Sequence, residues 1–509
     1  MTGPGAEPTS PDGQTLGVVD IGSNSGRIDV VRLDGFGHLD VLETAGTPLR
    51  LVHELASGAW LGDAVIERTL TAVRGFQAIA RGAGAGCVIA VATAAVREAA
   101  NGEAFVQRLR DDAGLDVQII SGQEEARLGF LGAVYGLPVE HGVLLDIGGG
   151  SMQVAHFRDR CLRQSWSLPL GALRLSDHFL LTDPPTAAEI RRLQDHVRDA
   201  LQDAPVPALA ADEQLVGTGG TIRNLARMDR AGRGYPIHRL HGYELDRRAL
   251  ATLVDGLVEQ TAASRAQSPG LNASRFDSIA GGALAVQQTL ELLEGSRLLV
   301  SGQGLREGLA LDRLAPTLQP PSEVRRSAVL ALAARFASWD EQVSRRRAGV
   351  AESLVQVLDP SVPEELRETL LHAATALDIG RSIDLYNRHE HTIDVLLNAD
   401  LSGFSHRGIA LLGSVVRLAG KDGASLKSYA PLVGSADQAP LARIAAILAL
   451  ADAIVLLAPL DDGPDIVCTR RNARVALAAP WLVAWPLQAA IRRVQQIFAV
   501  DISVEGGGG

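Results

Sequence analysis

Asp20-Ile21-Gly22-Ser23-Asn24-Ser25 and Asp146-Ile147-Gly148-Gly149-Gly150-Ser151 are two versions of one short motif. Each follows an apolar run and precedes a second strand-like run, so we expect each to form the tip of a β-hairpin. Small residues let backbone N–H groups approach a phosphate closely. Two such loops in matching contexts predict two lobes that face each other across a phosphate-binding cleft.

The side chains of both loops suit phosphate and a divalent cation. An aspartate at the end of a strand can hold Mg²⁺ or Mn²⁺ directly or through water, which makes Asp20 and Asp146 the candidate metal ligands. Hydroxyl and amide groups add hydrogen bonds to phosphate oxygens. The predicted phosphate-binding residues of the two loops are Ser23, Asn24, Ser25, Gly148, Gly149 and Ser151.

The order of elements after each motif is also repeated. Three strand-like runs are followed by alternating helical and strand patterns, first in residues 15–136 and again in residues 137–315. A repeated α/β pattern of this length predicts a duplicated α/β fold of the actin-like, ribonuclease-H-like type. Residues 15–136 are then lobe I and residues 137–315 are lobe II.

The chain changes character at a proline-rich break after residue 315. Residues 322–430 show helical patterns, including one helix predicted over Ser327–Val343, and residues 431–505 read as a small α+β domain. Residues 1–14 are rich in Gly, Pro, Ser and Thr and are expected to form a disordered tail. Arginines follow the break in a possible track for a long polyanion, although most helical charge runs are solvated faces: Arg325, Arg326, Arg335, Arg345–Arg347, Arg381, Arg388 and Arg407.

Composition excludes several classes of partner. The net charge of −11 counts against nucleic-acid binding. The most apolar stretch, Leu441–Pro459, contains Arg443 and Asp452, which suits a buried helix better than a membrane span. Three distant cysteines without metal-ligand spacing favour a reducing, cytoplasmic setting.

Two further segments are candidate phosphate contacts. Arg97 follows a buried strand at the start of a helix, where it could bind phosphate or lie on the surface. Gly217-Thr218-Gly219 lies between a strand and a helix, where it could contact phosphate or form a flexible turn.

Ser121-Gly122-Gln123-Glu124 fits two interpretations. Ser-x-x-Glu is a capping box, so Ser121 and Glu124 could do no more than begin a helix. That helix is the last of lobe I and is expected to face the cleft, where a carboxylate could deprotonate an attacking water. Its setting favours Glu124 as the catalytic base.

Four motifs in order resemble the exopolyphosphatase and guanosine-pentaphosphate phosphohydrolase (Ppx/GppA) family over about residues 15–315. They are Val19–Ser25, Ala92–Ala99, Ser121–Ala126 and Asp146–Ser151, and Gly217–Thr221 and Ser301–Gly308 extend the match. The resemblance implies that Glu124 activates water and contributes to the metal site. It also implies Mg²⁺-dependent removal of terminal phosphate from inorganic polyphosphate.

Two alternatives stay open within this reading. The first is hydrolysis of guanosine pentaphosphate at its terminal 5′ phosphate, which needs the same centre. The second is a sensor of polyphosphate or alarmone without catalysis.

The residues after the break resemble the helical domain of longer family members, which is related to HD phosphohydrolases. Leu377 stands where the histidine of the His-Asp pair is expected, before Asp378. The resemblance therefore predicts an HD-like domain that acts as a substrate channel or dimer scaffold, in a homodimer.

Overall fold

The computed structural model describes residues 14–52, 59–315, 317–459 and 466–506, and the predicted tail 1–14 lies outside it except for Gln14. The chain divides into two compact units. Unit 1 contains the residues up to Gly234 together with Leu240–Val324. Unit 2 contains Tyr235–Arg239 and the residues from Arg325 onward.

Lobe I of unit 1 is a five-stranded sheet with helices packed on it. Strand β1 pairs antiparallel with β2 and parallel with β4, and the sheet order is β3-β2-β1-β4-β5. Residues 16–19 of β1 and 28–31 of β2 are buried without alternation, so both faces of this hairpin are covered. The elements are β1 (Thr15–Ile21), β2 (Ser25–Leu33), β3 (Leu39–Pro48), α1 (Asp63–Gly82), β4 (Cys87–Ala92), α2 (Ala94–Glu98), α3 (Gly102–Ala113), β5 (Gln118–Ile119) and α4 (Gly122–Tyr135).

Lobe II repeats this plan with one additional strand. The elements are β6 (Gly142–Ile147), β7 (Met152–Arg158), β8 (Cys161–Leu168), α5 (Ala172–Phe179), α6 (Ala187–Asp203), β9 (Gln214–Thr218), α7 (Gly219–Ala231), β10 (Tyr243–Asp246), α8 (Arg247–Glu259), α9 (Ala262–Arg265), α10 (Ile279–Leu292), β11 (Arg297–Val300) and α11 (Leu305–Leu314). The sheet order is β10-β11-β9-β6-β7-β8. An antiparallel meander joined to parallel strands in both lobes confirms the duplicated actin-like core.

Unit 2 consists of helices followed by a three-stranded sheet of order β12-β13-β14. Its elements are α12 (Pro321–Ala333), which begins in unit 1, α13 (Glu341–Leu358), α14 (Glu364–Ala376), α15 (Arg388–Asn398), α16 (His406–Gly420), α17 (Gln438–Val455), β12 (Val467–Arg471), β13 (Arg474–Ala479), α18 (Gln488–Phe498) and β14 (Asp501–Gly506). A helical region and a C-terminal sheet are therefore confirmed. The relation to HD phosphohydrolases stays a prediction.

The single helix predicted over Ser327–Val343 is wrong, because two helices lie there with a break between them. Asp340 caps the second helix by accepting a 2.9 Å hydrogen bond from the backbone N–H of Val343. In the break, the indole N–H of Trp339 donates to the carbonyl of Thr375. These polar contacts stabilise the break, whereas the apolar spacing is compatible with a continuous helix.

The predicted arginine track is largely paired within the chain. Arg347 is fully buried and pairs with Asp378 and, at 2.9 Å, with Asp452. Arg388 binds the same two aspartates. Arg325 pairs with Glu368, so these arginines do not form a free cationic surface.

Helix α17 and the short 3₁₀ helix before it, together Ser435–Val455, are long and apolar enough to cross a membrane by length and composition alone. Residues along the helix, among them Leu441 and Ile447, belong to the core of unit 2. A core helix passes the same test, so this feature is weak evidence for a membrane span.

Candidate active site

The two glycine-rich motifs form matching hairpin tips. Gly22 N–H donates to the Ser25 carbonyl at 3.1 Å, and Gly148 N–H donates to the Ser151 carbonyl at 2.9 Å. The tips meet, since a Cβ on Gly150 would lie 2.8 Å from Oγ of Ser23. Glycine is therefore required where one lobe approaches the other.

A polar cavity lies between the lobes at these tips. Most of the residues predicted from the sequence line it: Asp20, Ser23, Asn24, Ser25, Asp146, Gly148, Gly149, Ser151, Thr218 and Gly219. The structure thus brings both loops and the start of helix α7 to one place, as the motif spacing predicted. Gly217, Arg97 and Glu124 are not among the lining residues.

Gly217 and the side chain of Thr218 contact other parts of lobe II. A Cβ on Gly217 would lie 2.9 Å from side-chain carbons of Ile222 and Leu298, so this glycine accommodates close packing. The hydroxyl of Thr218 donates to the Gln303 carbonyl at 2.6 Å. Within this segment, Gly219 and the backbone of Thr218 are the groups left to face a ligand.

Asp20 and Asp146 have the properties of ligands for a divalent cation. Burial raises the pKa of Asp20 to about 6 against the attraction of Arg306 and Arg27, and it also raises the pKa of Asp146. Oδ1 of Asp20 is buried without a hydrogen-bond partner. Among the described residues, no three His, Cys, Asp or Glu side chains are grouped to hold a metal alone. Mg²⁺ commonly takes one or two carboxylates and completes its shell with water and substrate phosphate, so these two residues fit it.

Of the two adjacent glutamates on helix α4, Glu125 lines the cavity and Glu124 does not. Both oxygens of Glu124 accept hydrogen bonds from Arg127, at 2.9 and 2.8 Å. Its backbone N–H donates to the hydroxyl of Ser121, which caps the helix. Glu124 therefore lies in the first turn of helix α4, where its carboxylate pairs with Arg127.

The carboxyl group of Glu125 is largely buried, with 12% of the side chain exposed, and it pairs with Arg97. Nη1 of Arg97 donates to its Oε2 at 3.1 Å and to the Ile120 carbonyl at 2.8 Å. Burial raises the pKa of Glu125 to about 8, Arg97 opposes the rise, and the negative charges of Asp146 and Asp20 add to it. A carboxyl group with a pKa near neutrality is suited to general-base catalysis.

The cavity also contains arginines that sequence reasoning missed: Arg27, Arg223, Arg275 and Arg306. Burial and repulsion by Arg306 and Arg27 lower the pKa of Arg223 to about 10. Burial and repulsion by other arginines also lower the pKa values of Arg27 and Arg275. The guanidinium groups destabilise one another, so a polyanion that enters the cavity would relieve their repulsion.

Arg306 joins the two lobes at this cavity. It lies on helix α11 of lobe II, and its Nε donates to Asp29 on strand β2 of lobe I. Although burial opposes it, Asp29 and the adjacent Glu307 hold the pKa of Arg306 above its usual range.

Sequence signals for two of these arginines were available. Arg27 follows the first motif by two residues, and Arg306 belongs to the Ser301–Gly308 motif. Arg223 lies one turn after Gly219 on helix α7, and Arg275 ends a short 3₁₀ helix, Ala273–Arg275, outside the motifs. Only the folded chain brings these four positions together.

Comparison with known sequences identifies similar phosphatases. The sequence pattern of the Ppx/GppA phosphatase family matches residues 30–316, and that of Ppx/GppA phosphatase, domain III, matches residues 324–458. Exopolyphosphatase 1 of Mycobacterium leprae is 32% identical over 303 residues, which are 59% of this chain and 89% of the relative. Exopolyphosphatase 2 of Mycobacterium tuberculosis is 29% identical over 316 residues, covering 58% of this chain and 98% of the relative.

Solved structures show the same likeness. The crystal structure of the Aquifex aeolicus member of the Ppx/GppA family is 28% identical, with a TM-score of 0.54, and covers 60% of this chain and 98% of that one. An exopolyphosphatase from Cytophaga hutchinsonii, 24% identical with a TM-score of 0.55, covers 60% of this chain and 99% of that one and shares the fold.

Proposed function

This chain belongs to the Ppx/GppA phosphatase family, and from that premise we propose that it removes terminal phosphate from inorganic polyphosphate. The chain is a phosphoanhydride hydrolase. The finer assignment rests on the cavity between the lobes, where two aspartates, four arginines and Glu125 converge.

The electrostatics of the cavity support a polyanionic substrate despite the chain's net negative charge. Its charged lining residues are four arginines and the acidic residues Asp20, Glu125, Asp146 and Glu307. Burial raises the pKa values of Asp20, Glu125 and Asp146, which reduces the negative charge that opposes the four arginines. A local excess of positive charge attracts phosphate more strongly than the net charge of the chain suggests.

Glu125, rather than its neighbour Glu124, is the proposed catalytic base. The carboxylate accepts a proton from water as the water oxygen bonds to the terminal phosphorus. The bridging P–O bond breaks, and its electron pair leaves with the shortened chain. The products are orthophosphate and a polyphosphate one unit shorter. Arg97 keeps Glu125 oriented, which is a different role from the phosphate contact predicted for it.

Mg²⁺ is the proposed cofactor, with Asp20 and Asp146 as its protein ligands. Such an ion, when bound, neutralises phosphate oxygens and the charge that develops on the leaving chain. The buried, unpartnered Oδ1 of Asp20 supports this assignment. Glu124, predicted as a third ligand, has both oxygens occupied by Arg127 and is left out of the proposed site.

The scarcity of apolar side chains around the cavity favours polyphosphate over guanosine pentaphosphate. Among the described residues that line it, Ile147 and Leu305 are the large apolar ones, and none is aromatic. Recognition of a nucleobase usually includes stacking on an aromatic or guanidinium plane, so a base in this cavity would depend on the arginines alone. A purely inorganic chain requires only the cations, hydroxyl groups and backbone N–H groups that are present.

Orthophosphate release from long-chain polyphosphate and from guanosine pentaphosphate, measured in parallel with Mg²⁺ and with EDTA, tests this proposal. We expect metal-dependent release, with the higher kcat/KM for polyphosphate. A higher kcat/KM for guanosine pentaphosphate would favour the alarmone. Binding of either compound without release would identify a sensor.

The predicted homodimer and cytoplasmic location stay predictions. The oligomeric state in solution can be measured by light scattering on the full chain.

A further inference from the structure

Three side chains form a row across the middle of the lobe II sheet. Asp146 on β6 lies directly opposite Gln153 on β7, and Gln153 lies directly opposite Ser167 on β8. Residues that are paired across adjacent strands project from the same face of a sheet. Asp146, Gln153 and Ser167 therefore project side by side, with Gln153 in the centre.

Helix α4 of lobe I lies along this row. A Cβ on Gly122 would overlap the side chain of Ser167, and a Cβ on Gly129 would lie 3.6 Å from Oδ2 of Asp146. Gly122, Glu125 and Gly129 are spaced three and four residues apart, so they share one face of the helix. The ends of this face contact β8 and β6, and β7 lies between those strands. Glu125 consequently faces β7, which carries Gln153.

The amide of Gln153 is fixed in a defined orientation. The residue is buried and lines the cavity. Its Nε2 donates to Oγ of Ser151 at 2.8 Å and to Oγ of Ser167 at 3.3 Å. Both N–H groups are thereby used, and the carbonyl oxygen Oε1 is the remaining hydrogen-bonding atom of the side chain.

We propose that Gln153 is a catalytic residue that, together with Glu125, positions the attacking water. This inference rests on the proposed hydrolase function. Oε1 of Gln153 accepts a hydrogen bond from one O–H of the water, and the Glu125 carboxylate accepts from the other. A lone pair of the water oxygen is then directed to the terminal phosphorus. The proton passes to Glu125, and Gln153 neither gains nor loses one. Orienting the nucleophile in this way is a recurrent part of phosphoryl-transfer catalysis.

Two substitutions separate this role from a purely structural one. Gln153→Met keeps the length of the side chain and removes its hydrogen bonds, whereas Ser167→Ala removes only one partner of Nε2. We expect Gln153→Met to lower kcat for polyphosphate by roughly 100-fold with KM within about twofold. Ser167→Ala should lower kcat by less than about fivefold, because Ser151 still holds the amide. Thermal unfolding of each variant establishes that the chain is folded.

A double-mutant cycle with Glu125→Gln gives the decisive readout. If both side chains act on one water, Gln153→Met should cost less than about tenfold in a chain that already carries Glu125→Gln. Equal losses in both backgrounds, a raised KM with unchanged kcat, or an unchanged Gln153→Met variant would each overturn the inference. A wild-type chain inactive on every phosphoanhydride would instead overturn the proposed function.

Discussion

Arg97 donates a 3.1 Å hydrogen bond to Oε2 of Glu125, so the arginine that follows strand β4 holds the largely buried carboxyl group of helix α4. The same guanidinium donates to the carbonyl of Ile120, just before that helix. Arg97 thus fixes the position of Glu125 and favours its charged form. Its neighbour Glu98 pairs with Arg174 of lobe II.

The pH dependence of hydrolysis should follow the ionisation of Glu125. Burial raises its pKa to about 8, and a general base acts only when deprotonated. We expect kcat/KM to fall about tenfold per pH unit below 8. In Arg97→Met the favourable charge is lost, so the pKa of Glu125 rises further and this fall begins at higher pH. The pH profile of kcat/KM for both proteins measures the shift.

Arg110→Met is the matched control for that profile. Arg110 is an exposed lobe I arginine that pairs with Asp116. Its profile should coincide with that of the wild type. Equal profiles for wild type and Arg97→Met would contradict the role of Arg97.

Asp20→Asn should weaken metal activation. Losing one of two carboxylates should raise the Mg²⁺ concentration for half-maximal activity by about tenfold or more. Protons compete with the metal for Asp20, whose pKa is about 6, so the wild-type requirement for Mg²⁺ should rise as the pH falls below 6. Mg²⁺ titrations of activity at several pH values test both the effect of Asp20→Asn and the pH dependence of the wild-type requirement. Asp116→Asn, at an exposed position, should leave the titration unchanged, and an Asp20→Asn variant with wild-type Mg²⁺ dependence would exclude Asp20 as a ligand.

Arg275→Met should weaken substrate binding while the folded chain stays stable. Hydrogen bonds from a charged group contribute about 1.5–3 kcal/mol, so KM should rise by about 10-fold to 100-fold. Burial and the charge of Arg27 both disfavour the Arg275 cation, so its removal should not lower the free energy of unfolding. Kinetics and urea unfolding of the same preparation measure both quantities. A lowered kcat with unchanged KM would assign Arg275 to the reaction itself.

Arg347→Met should destabilise unit 2. The substitution leaves Asp378 and Asp452 with one fewer buried cation, and breaking a buried pair typically costs about 3–5 kcal/mol. Although burial opposes it, Arg347 and Arg388 lower the pKa of Asp378. This contribution is therefore present above the ordinary aspartate pKa and is lost as the pH falls below it. Urea unfolding near neutral pH and at pH 3 tests both statements.

Arg345→Met is the control for that measurement, since Arg345 is exposed and pairs with Glu341 one turn away. Its free energy of unfolding should lie within about 0.5 kcal/mol of the wild type. A similar value for Arg347→Met would mean that the buried network contributes little.

The sequence predicted the duplicated core because the evidence for it is local. The hairpin motifs and the strand and helix periods are repeated, and each motif joins two antiparallel strands, as expected. The capping hydroxyl of Ser121 was also predictable, since its spacing to the backbone N–H of Glu124 is fixed by helix geometry.

The choice between Glu124 and Glu125 depends on tertiary packing. Adjacent residues on a helix point about 100° apart, so only one can face the cleft. Which one does so depends on how α4 lies on the sheet of lobe II, where Gly122 and Gly129 allow its close approach. The prediction of an arginine track was wrong for a similar reason, because Asp452, which binds both Arg347 and Arg388, lies far from them in the sequence.

Orthophosphate release from long-chain polyphosphate by the wild type, Glu125→Gln and Glu124→Gln tests the central claim most directly. The two substitutions each replace a carboxyl group by an amide of the same size, at neighbouring positions of one helix. We predict a loss of about 10³-fold or more in kcat for Glu125→Gln and less than about fivefold for Glu124→Gln. The reverse order, or equal losses, would contradict the assignment of Glu125 as the base.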